Sequence, residues 1–374
     1  MSDTLMRRVL ADKEPFMDKS KFEPGWAWGR WGDWPVWWID HPERTQSAPS
    51  VALFRLKFKL EKPGPLRIHV SADNRYRLYV DGSRIGEGPE RGDAQHWFFE
   101  SYEGRLPAGE HSIIVQTWWL GDKAPFAQMS LRPGFMLASE GELLEKVSTG
   151  HARWETAIMP GLDFIPHGDA WGGGWKLSVN GPDYPWGWET GHGNLKWTEA
   201  VKIAQAMSAA WKNEIPPHWL LMPAGLPAMR NETSLAGALR YLTSSASPYP
   251  VDETRQLSKE SSAWQNWLSG KSALTIPANT ARTAVIDLEN YYCAYPELLV
   301  SGGKGSRIRF SWAEGLFLKA DGGGKGHRDQ IDGKFFRGGV GDEFLPDGGK
   351  KRLFTTLWWE AGRYVEVSIT TGPS

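Results

Sequence analysis

The residues best suited to chemistry crowd the last hundred positions. Trp312, Glu314, Arg328, Asp329, Asp332, Asp342, Glu343 and Asp347 fall on three loops or strand ends, between short β-rich runs. Acidic oxygens from neighbouring loops suit a hard cation such as calcium, which takes about six to eight oxygen ligands. Asp329, Asp332, Asp342 and Asp347 are the candidate ligands. An arginine and an aspartate beside a tryptophan suit a sugar, whose C–H face stacks on the indole while its hydroxyls meet the charged groups. Trp312, Arg328, Asp329, Asp342, Trp358 and Trp359 are accordingly the candidate carbohydrate contacts, with no catalytic residue assigned. The competing reading is a solvated rim of charges in which Arg363 pairs with one of the acids. The EF-hand spacing is absent, so the calcium reading rests on the clustering alone.

Other chemistries find little support. The sequence holds no GxxxxGK[ST] phosphate loop, no strand-linked GxGxxG, no HExxH and no cysteine-rich zinc pattern. Gly302 to Arg307, GGKGSR, lies between two strand-like runs rather than opening a helix, and reads as a turn. His167, Asp169 and His192 lack a second ligand at a metal spacing and read as polar loop residues. A glycosidase needs only two carboxylates flanking a sugar, and 44 Asp and Glu always supply candidates. No segment, however, resembles the helical or (β/α) barrel that usually carries such a pair.

The elements that must position these residues are strands. VALFRLKFKL from Val51 alternates apolar and polar positions, which gives one buried and one wet face. LRIHVSA follows the Pro63-Gly64-Pro65 breaker, and Asp81-Gly82 within YRLYVDGSRIGEG signals a tight hairpin. HWFFESYE, HSIIVQTWWL and FAQMSLRPGFMLAS supply further strands. In the last hundred residues, Ala284 to Leu288, Glu297 to Val300, Ser306 to Trp312 and Tyr364 to Ile369 alternate with turns rich in Gly, Asp and Lys. Both patterns predict antiparallel sandwiches. WAWGRWGDWPVWWID, Trp26 to Asp40, has no period of 2 or 3.6 and reads as an aromatic strap packed across a neighbouring domain, with an open sugar platform as the alternative. TEAVKIAQAMSAAWK reads as a short helix capped by Thr198.

Length and composition set the frame. The 374 residues suit two or three domains. A formal net charge of −1 offers no global field for nucleic acid or an anionic membrane. The single cysteine, Cys293, excludes an internal disulfide and suits a reducing compartment. The N-terminus has no apolar signal region and no run approaches the ~20 apolar residues of a membrane span. A cytoplasmic protein is therefore expected, an extracellular one if the N-terminus was altered. The 22 tryptophans in a chain of mean hydropathy −0.46 point to some exposed aromatic surface, although most should fill cores.

Taken together, FRLKFKL, SADNRYRLYVDGSRIGEGPERGD, PAGEHSIIVQTWW, HWLLMPAGLPAM, IDLENYYCAYPELLVSGGKGSRIRFSWAEGLF, the HRD and DEFLPDGG turns and LWWEAGRYVEV resemble the non-catalytic N-terminal half of bacterial α-L-rhamnosidases of glycoside hydrolase family 78. The resemblance covers roughly residues 50–135 and 215–374, with Asp81 where that family usually has Asn. With the residue patterns above, it implies an all-β chain with two antiparallel, jelly-roll-like sandwiches: an aromatic strap at 1–48, a first sandwich at 49–140, an irregular connecting region at 141–270 that packs on or completes the first sandwich, and a second sandwich at 271–374. It also implies that rhamnose-containing carbohydrate is the ligand, calcium a companion ion in some members, and a six-hairpin helical toroid the downstream partner. Glu314, Arg328, Asp329, Asp342, Arg363 and Tyr364 are the matched positions; Arg328, Asp329 and Asp342 read as loop ligands, Glu314 and Arg363 as structural. The family's catalytic DCPxRxE and GWxGD runs do not occur here. The expectation is a chain without hydrolytic activity of its own, which either binds the sugar or serves as a scaffold for the catalytic domain.

Overall fold

The computed structural model describes residues 6–16, 32–44, 49–124, 128–166, 175–209, 219–234, 237–244, 250–252, 256–336 and 341–373. The described chain is mostly β and falls into two compact units. One takes the described parts of Met1–Pro160 and Pro185–Arg230, the other those of Gly161–Ala170, Trp175–Tyr184 and Asn231–Ser374. The connecting region 141–270, expected to pack on or complete the first sandwich, does so only in part. Its strands are shared out between the two units, because each completes a sheet whose other strands lie far away in sequence.

In the first unit, one sheet runs Thr198–Glu199, Glu155–Ile158, Ser50–Leu60, Gly109–Trp119, Arg75–Val80, Ser83–Gly88. Ser50–Leu60 and Gly109–Trp119 pair over eleven positions, and Ala52, Phe54, Leu56, Phe58 and Leu60 point into a core with Ile68, Val70, Phe135 and Leu137. The alternation predicted from sequence is observed from Arg55 onward, with Lys57 and Lys59 exposed, whereas Val51 and Leu53 on the face expected to be wet are buried as well. Asp81-Gly82 makes the hairpin turn with φ of 50° and 77°, the left-handed pair that a two-residue connection requires. The Asp81 carboxylate also accepts the Ser112 N–H at 2.8 Å and lies 2.8 Å from His111 Nδ1.

The second sheet of this unit closes on itself. Trp97–Leu106, Leu220–Pro223, Val201–Ser208, Asp33–Asp40, Gly134–Ser139 and Gly64–Asp73 follow one another, and Gly64–Asp73 pairs back onto Trp97–Leu106. Two of these pairings are parallel. Alternate residues face the ring's interior: Trp34, Val36, Trp38, Trp97, Phe99, Met136, Ala138, Ala206, Trp219 and Leu221 are all buried together. Asp33–Asp40 is thus a ring strand, and the strap reading is corrected for it; Trp26, Trp28 and Trp31 lie outside the described residues. The expected helix at Thr198 is corrected too. Thr198–Glu199 and Val201–Ser208 are strands, since ring neighbours on both sides of Val201–Ser208 supply the backbone partners that an alanine-rich segment would otherwise find within a helix.

Asp73 ties the ring together. Its buried carboxylate accepts Asn74 Nδ2 at 3.0 Å, Ser130 Oγ at 2.7 Å, the Leu131 and Arg132 N–H groups at 2.7 and 3.2 Å, and Trp219 Nε1 at 3.0 Å. Burial pushes its pKa up against these donors. Trp219, so oriented, stacks on Trp38 at 4.2 Å.

The second unit carries a seven-stranded sheet in the order Leu162–Ile165, Lys176–Asn180, Asp342–Leu345, Arg307–Ala313, Glu360–Thr370, Ala281–Ala294, Ala238–Thr243. Lys176–Asn180 and Asp342–Leu345 run parallel. A ribbon of Glu297–Val300 and Arg352–Thr355 packs on it, with Phe354 stacked on Phe310 and Phe344 at 5.7 and 5.5 Å. The helix Ser258–Leu268 inserts Trp264, fully buried, against Leu242 and Ala284. GGKGSR forms the expected turn, with Gly302, Gly303 and Gly305 at positive φ. The second sandwich thus recruits strands from well before residue 271, and sequence proximity alone did not reveal them.

Asp73→Ala would strand several buried donors at once. It is expected to lower the stability of the first unit by about 3 kcal/mol or more, read as a fall in its urea midpoint.

Candidate functional site

The centre of the second unit's charged surface is Asp287, buried on the long strand Ala281–Ala294. Arg363, on the neighbouring strand, grips it with two bonds, Nε to Oδ1 at 2.8 Å and Nη2 to Oδ2 at 3.0 Å; Arg240 adds a third at 2.9 Å. Burial pushes the Asp287 carboxyl up, but the Arg363 bonds, the Glu289 N–H and both guanidinium charges outweigh it and hold the pKa low. The same bonds raise the pKa of Arg363 further above its already high value.

Arg363 also reaches outward to the carboxylate of Asp329. Asp329 sits in a loop whose main-chain oxygens are turned inward one after another. Lys325 and His327 carbonyls accept Lys334 Nζ at 2.7 and 2.6 Å, the Arg328 carbonyl accepts the Tyr364 hydroxyl at 2.7 Å, and the Asp329 carbonyl accepts Arg240 Nη2 at 3.4 Å. With its carbonyls engaged below, the loop leaves the Arg328 side chain exposed above. The Arg328 stem lies over Gly315, where even a Cβ would meet its Cγ at 3.4 Å. Among the described residues, the Arg328 guanidinium takes no hydrogen bond or ion pair.

Next to it stand Glu314 and Tyr291. Glu314 accepts Lys325 Nζ at 2.8 Å, and that bond, with the charges of Lys325 and Arg328, holds its carboxyl low. Partial burial raises the pKa of Tyr291, followed by the Glu314 and Cys293 charges, while Arg328 opposes the shift. Tyr291 nevertheless remains 42% exposed. An exposed phenol, a guanidinium without a hydrogen-bond partner among the described residues and a carboxylate thus lie close together on one surface. Arg328 is among the candidates that the sequence names. Tyr291 is not, because the YYCAY run carries no spacing signal; it reaches the surface where the strand pairing shifts register between Asp287 and Tyr292.

The other candidates part company. Asp342 is not a loop ligand: it lies on the strand Asp342–Leu345 and is completely buried, with Oδ1 accepting the Leu177 N–H at 2.8 Å. Asp347 is held by Arg352 at 2.7 and 3.0 Å and by the Gly349 N–H; burial works against this, but these bonds keep its carboxyl low. Asp332 is exposed in the turn before Gly333. The four aspartates proposed for calcium are therefore not gathered, and among the described residues no group of three or more His, Cys, Asp or Glu side chains could hold a metal ion. Trp312 is half-buried on its strand and Trp358 half-buried against Phe164, each with its indole N–H buried and unpartnered. Trp359 is 40% exposed. His192 bonds Thr190 at 2.8 Å, and His167 and Asp169 lie outside the described residues.

Asp342 has chemistry of a different kind. Lys176 pairs with Glu360, and the Glu360 carboxyl abuts Asp342. Two buried acids against one ammonium leave an excess negative charge. Burial first, then the Glu360 charge, pushes the Asp342 pKa well above the usual carboxylate range. A proton on Asp342 lets Oδ2, which otherwise lacks a partner, bond to Glu360.

The fold and this surface define an all-β, two-unit protein with a small polar-aromatic patch on its second unit. No protein-family model matches the chain, and no curated protein does. Its fold is that of part of the α-L-rhamnosidases. It is similar to the family 78 rhamnosidase of Bacillus sp. GL1, with a TM-score of 0.65 and 12% identity, over 91% of this chain and 54% of that one. It is similar to the α-L-rhamnosidase of Aspergillus terreus, with a TM-score of 0.52 and 14% identity, over 90% of this chain and 36% of that one. The chain thus spans about half the length of the first and about a third of the second. No helix among the described residues is long and apolar enough to cross a membrane.

The raised pKa of Asp342 has a measurable consequence. The folded chain keeps a proton that the unfolded chain releases near pH ~4, so this stabilisation is full below that pH and is lost as pH rises toward the folded-state value. Asp342→Asn, which keeps the acceptor and an N–H donor, should lack this loss. Its urea midpoint relative to wild type is expected to rise between pH 4.5 and pH 8; an unchanged difference would contradict the assignment.

Proposed function

We propose that this chain is the non-catalytic portion of an α-L-rhamnosidase-like glycoside hydrolase, and that it holds a rhamnose-containing glycan on its second unit. The observation that carries the reading is the likeness to the Bacillus rhamnosidase, which extends over 91% of this chain but only 54% of that enzyme. The absence of the family's acidic catalytic runs from the sequence supports the same view. On this reading Arg328 and Glu314 take vicinal hydroxyls and Tyr291 stacks on the ring. A single sugar ring offers few atoms, so the affinity is modest.

A scaffold role is the second reading. It is favoured by the internal pairing of Asp329 and Asp347 and by Leu299 and Leu353, directly opposed on the ribbon and 61% and 49% exposed, an apolar pair suited to a neighbouring domain.

Calorimetric titration with L-rhamnose separates the two. Millimolar binding in the wild type, weakened at least tenfold in Arg328→Ala and unchanged in Asp347→Asn, is expected for the sugar-holding portion. No heat up to tens of millimolar sugar would leave the scaffold. In either case, no hydrolysis of an aryl rhamnoside is expected from this chain alone.

A further inference from the structure

The 325–329 loop presents to its interior the oxygen set that a hard cation would take: the carbonyls of Lys325, His327 and Asp329, and the Asp329 carboxylate. Each is already engaged by a side-chain cation. Lys334 holds the first two, Arg240 the third and Arg363 the carboxylate. Lys334 is the central member. It is only 6% exposed, and its ammonium lies beneath Gly326, whose φ of 58° turns the two flanking carbonyls to the same side; a Cβ there would stand 3.5 Å from Lys334 Nζ. Its backbone is anchored independently, because the Val251 N–H donates to the Lys334 carbonyl at 2.7 Å and the Lys334 N–H donates to Ile331 at 3.0 Å. Ile331 and Phe336 on either side are buried in the core with Val251 and Tyr364.

We propose that Lys334 is an internal cation that fixes this loop without calcium, and so sets the position of Arg328. Three physical points support it. An ammonium has three donors and can satisfy two converging carbonyls at once. Charge-assisted bonds in a buried setting are about twice as strong as neutral ones. A metal entering the same oxygens would have to displace or repel three nearby cations. Lys334 is therefore a positioning residue. What the loop is positioned for rests on the glycan reading; the positioning itself does not.

Hydrogen exchange followed by mass spectrometry tests it on the whole chain, in peptides covering 324–336, where Gln330 donates to the His327 carbonyl and Phe335 pairs with Phe317. In Lys334→Met, exchange there is expected to quicken at least tenfold, while peptides from Ala281–Ala294 and Glu360–Thr370 keep wild-type protection. Lys334→Arg, which restores the charge and the donors, should recover most of the protection. Wild type should exchange alike with calcium or with a chelator. Wild-type protection of the loop in Lys334→Met, or a chelator that opens the loop in wild type, overturns the proposal. Should Lys334→Met fail to fold, Lys334→Gln is read by the same peptides and criteria. If the loop opens in these variants while the wild type binds no L-rhamnose, the internal cation stands and the glycan reading falls; the reverse result sinks only the former.

Discussion

The buried carboxylate of Asp287 is the interaction on which the second unit's surface depends. An ionised acid inside a sheet is costly unless donors surround it, and here two arginines do so. Because those arginines are committed at one end to Asp287, their remaining N–H groups are held in place and grip Asp329. The loop then inherits its geometry from the sheet beneath it. Lys334 and Tyr364 complete the set from neighbouring positions. A glycine-rich segment, KADGGGKGHRD, which has little conformational preference of its own, is in this way given one shape.

The first unit solves a related problem with the opposite charge arrangement. Asp73 there meets neutral donors rather than guanidinium groups, and burial keeps its pKa raised, whereas that of Asp287 is held low. The difference follows first from burial, which encloses Asp73 more deeply, and then from the partners: N–H, hydroxyl and indole dipoles stabilise an anion less than a full positive charge does. The result is an anchor that orients Trp219 among Trp38 and Trp97 inside the closed ring. Tryptophan is abundant in this chain partly because that ring must be filled by large side chains from few strands.

The exposed chemistry is smaller than the charge content of the loops implies. Asp329 and Asp347 are consumed by Arg363 and Arg352, and Asp342 is buried with Glu360 and Lys176. Among the described residues, Arg328 and Tyr291 stay exposed beside Glu314, which is itself exposed although Lys325 holds it. A sequence displays every acid equally; only partners and burial distinguish an acid that can bind something from one that already has.

The sequence by itself determined the local features: the alternating strand at Val51, the Asp81-Gly82 hairpin, the GGKGSR turn, the all-β class and the likeness to part of the rhamnosidases. Each of these depends on residues adjacent in the chain or on a motif read in order. The tertiary structure decided the rest. It made Val201–Ser208 a strand because ring partners outweighed its helical composition. It drew Lys176 beside Glu360 across 184 residues, and thereby turned Asp342 from a candidate ligand into a buried acid. It brought Tyr291 to Arg328 through a shift in strand register. Burial and ion pairing are properties of residues far apart in the chain, and no local pattern encodes them.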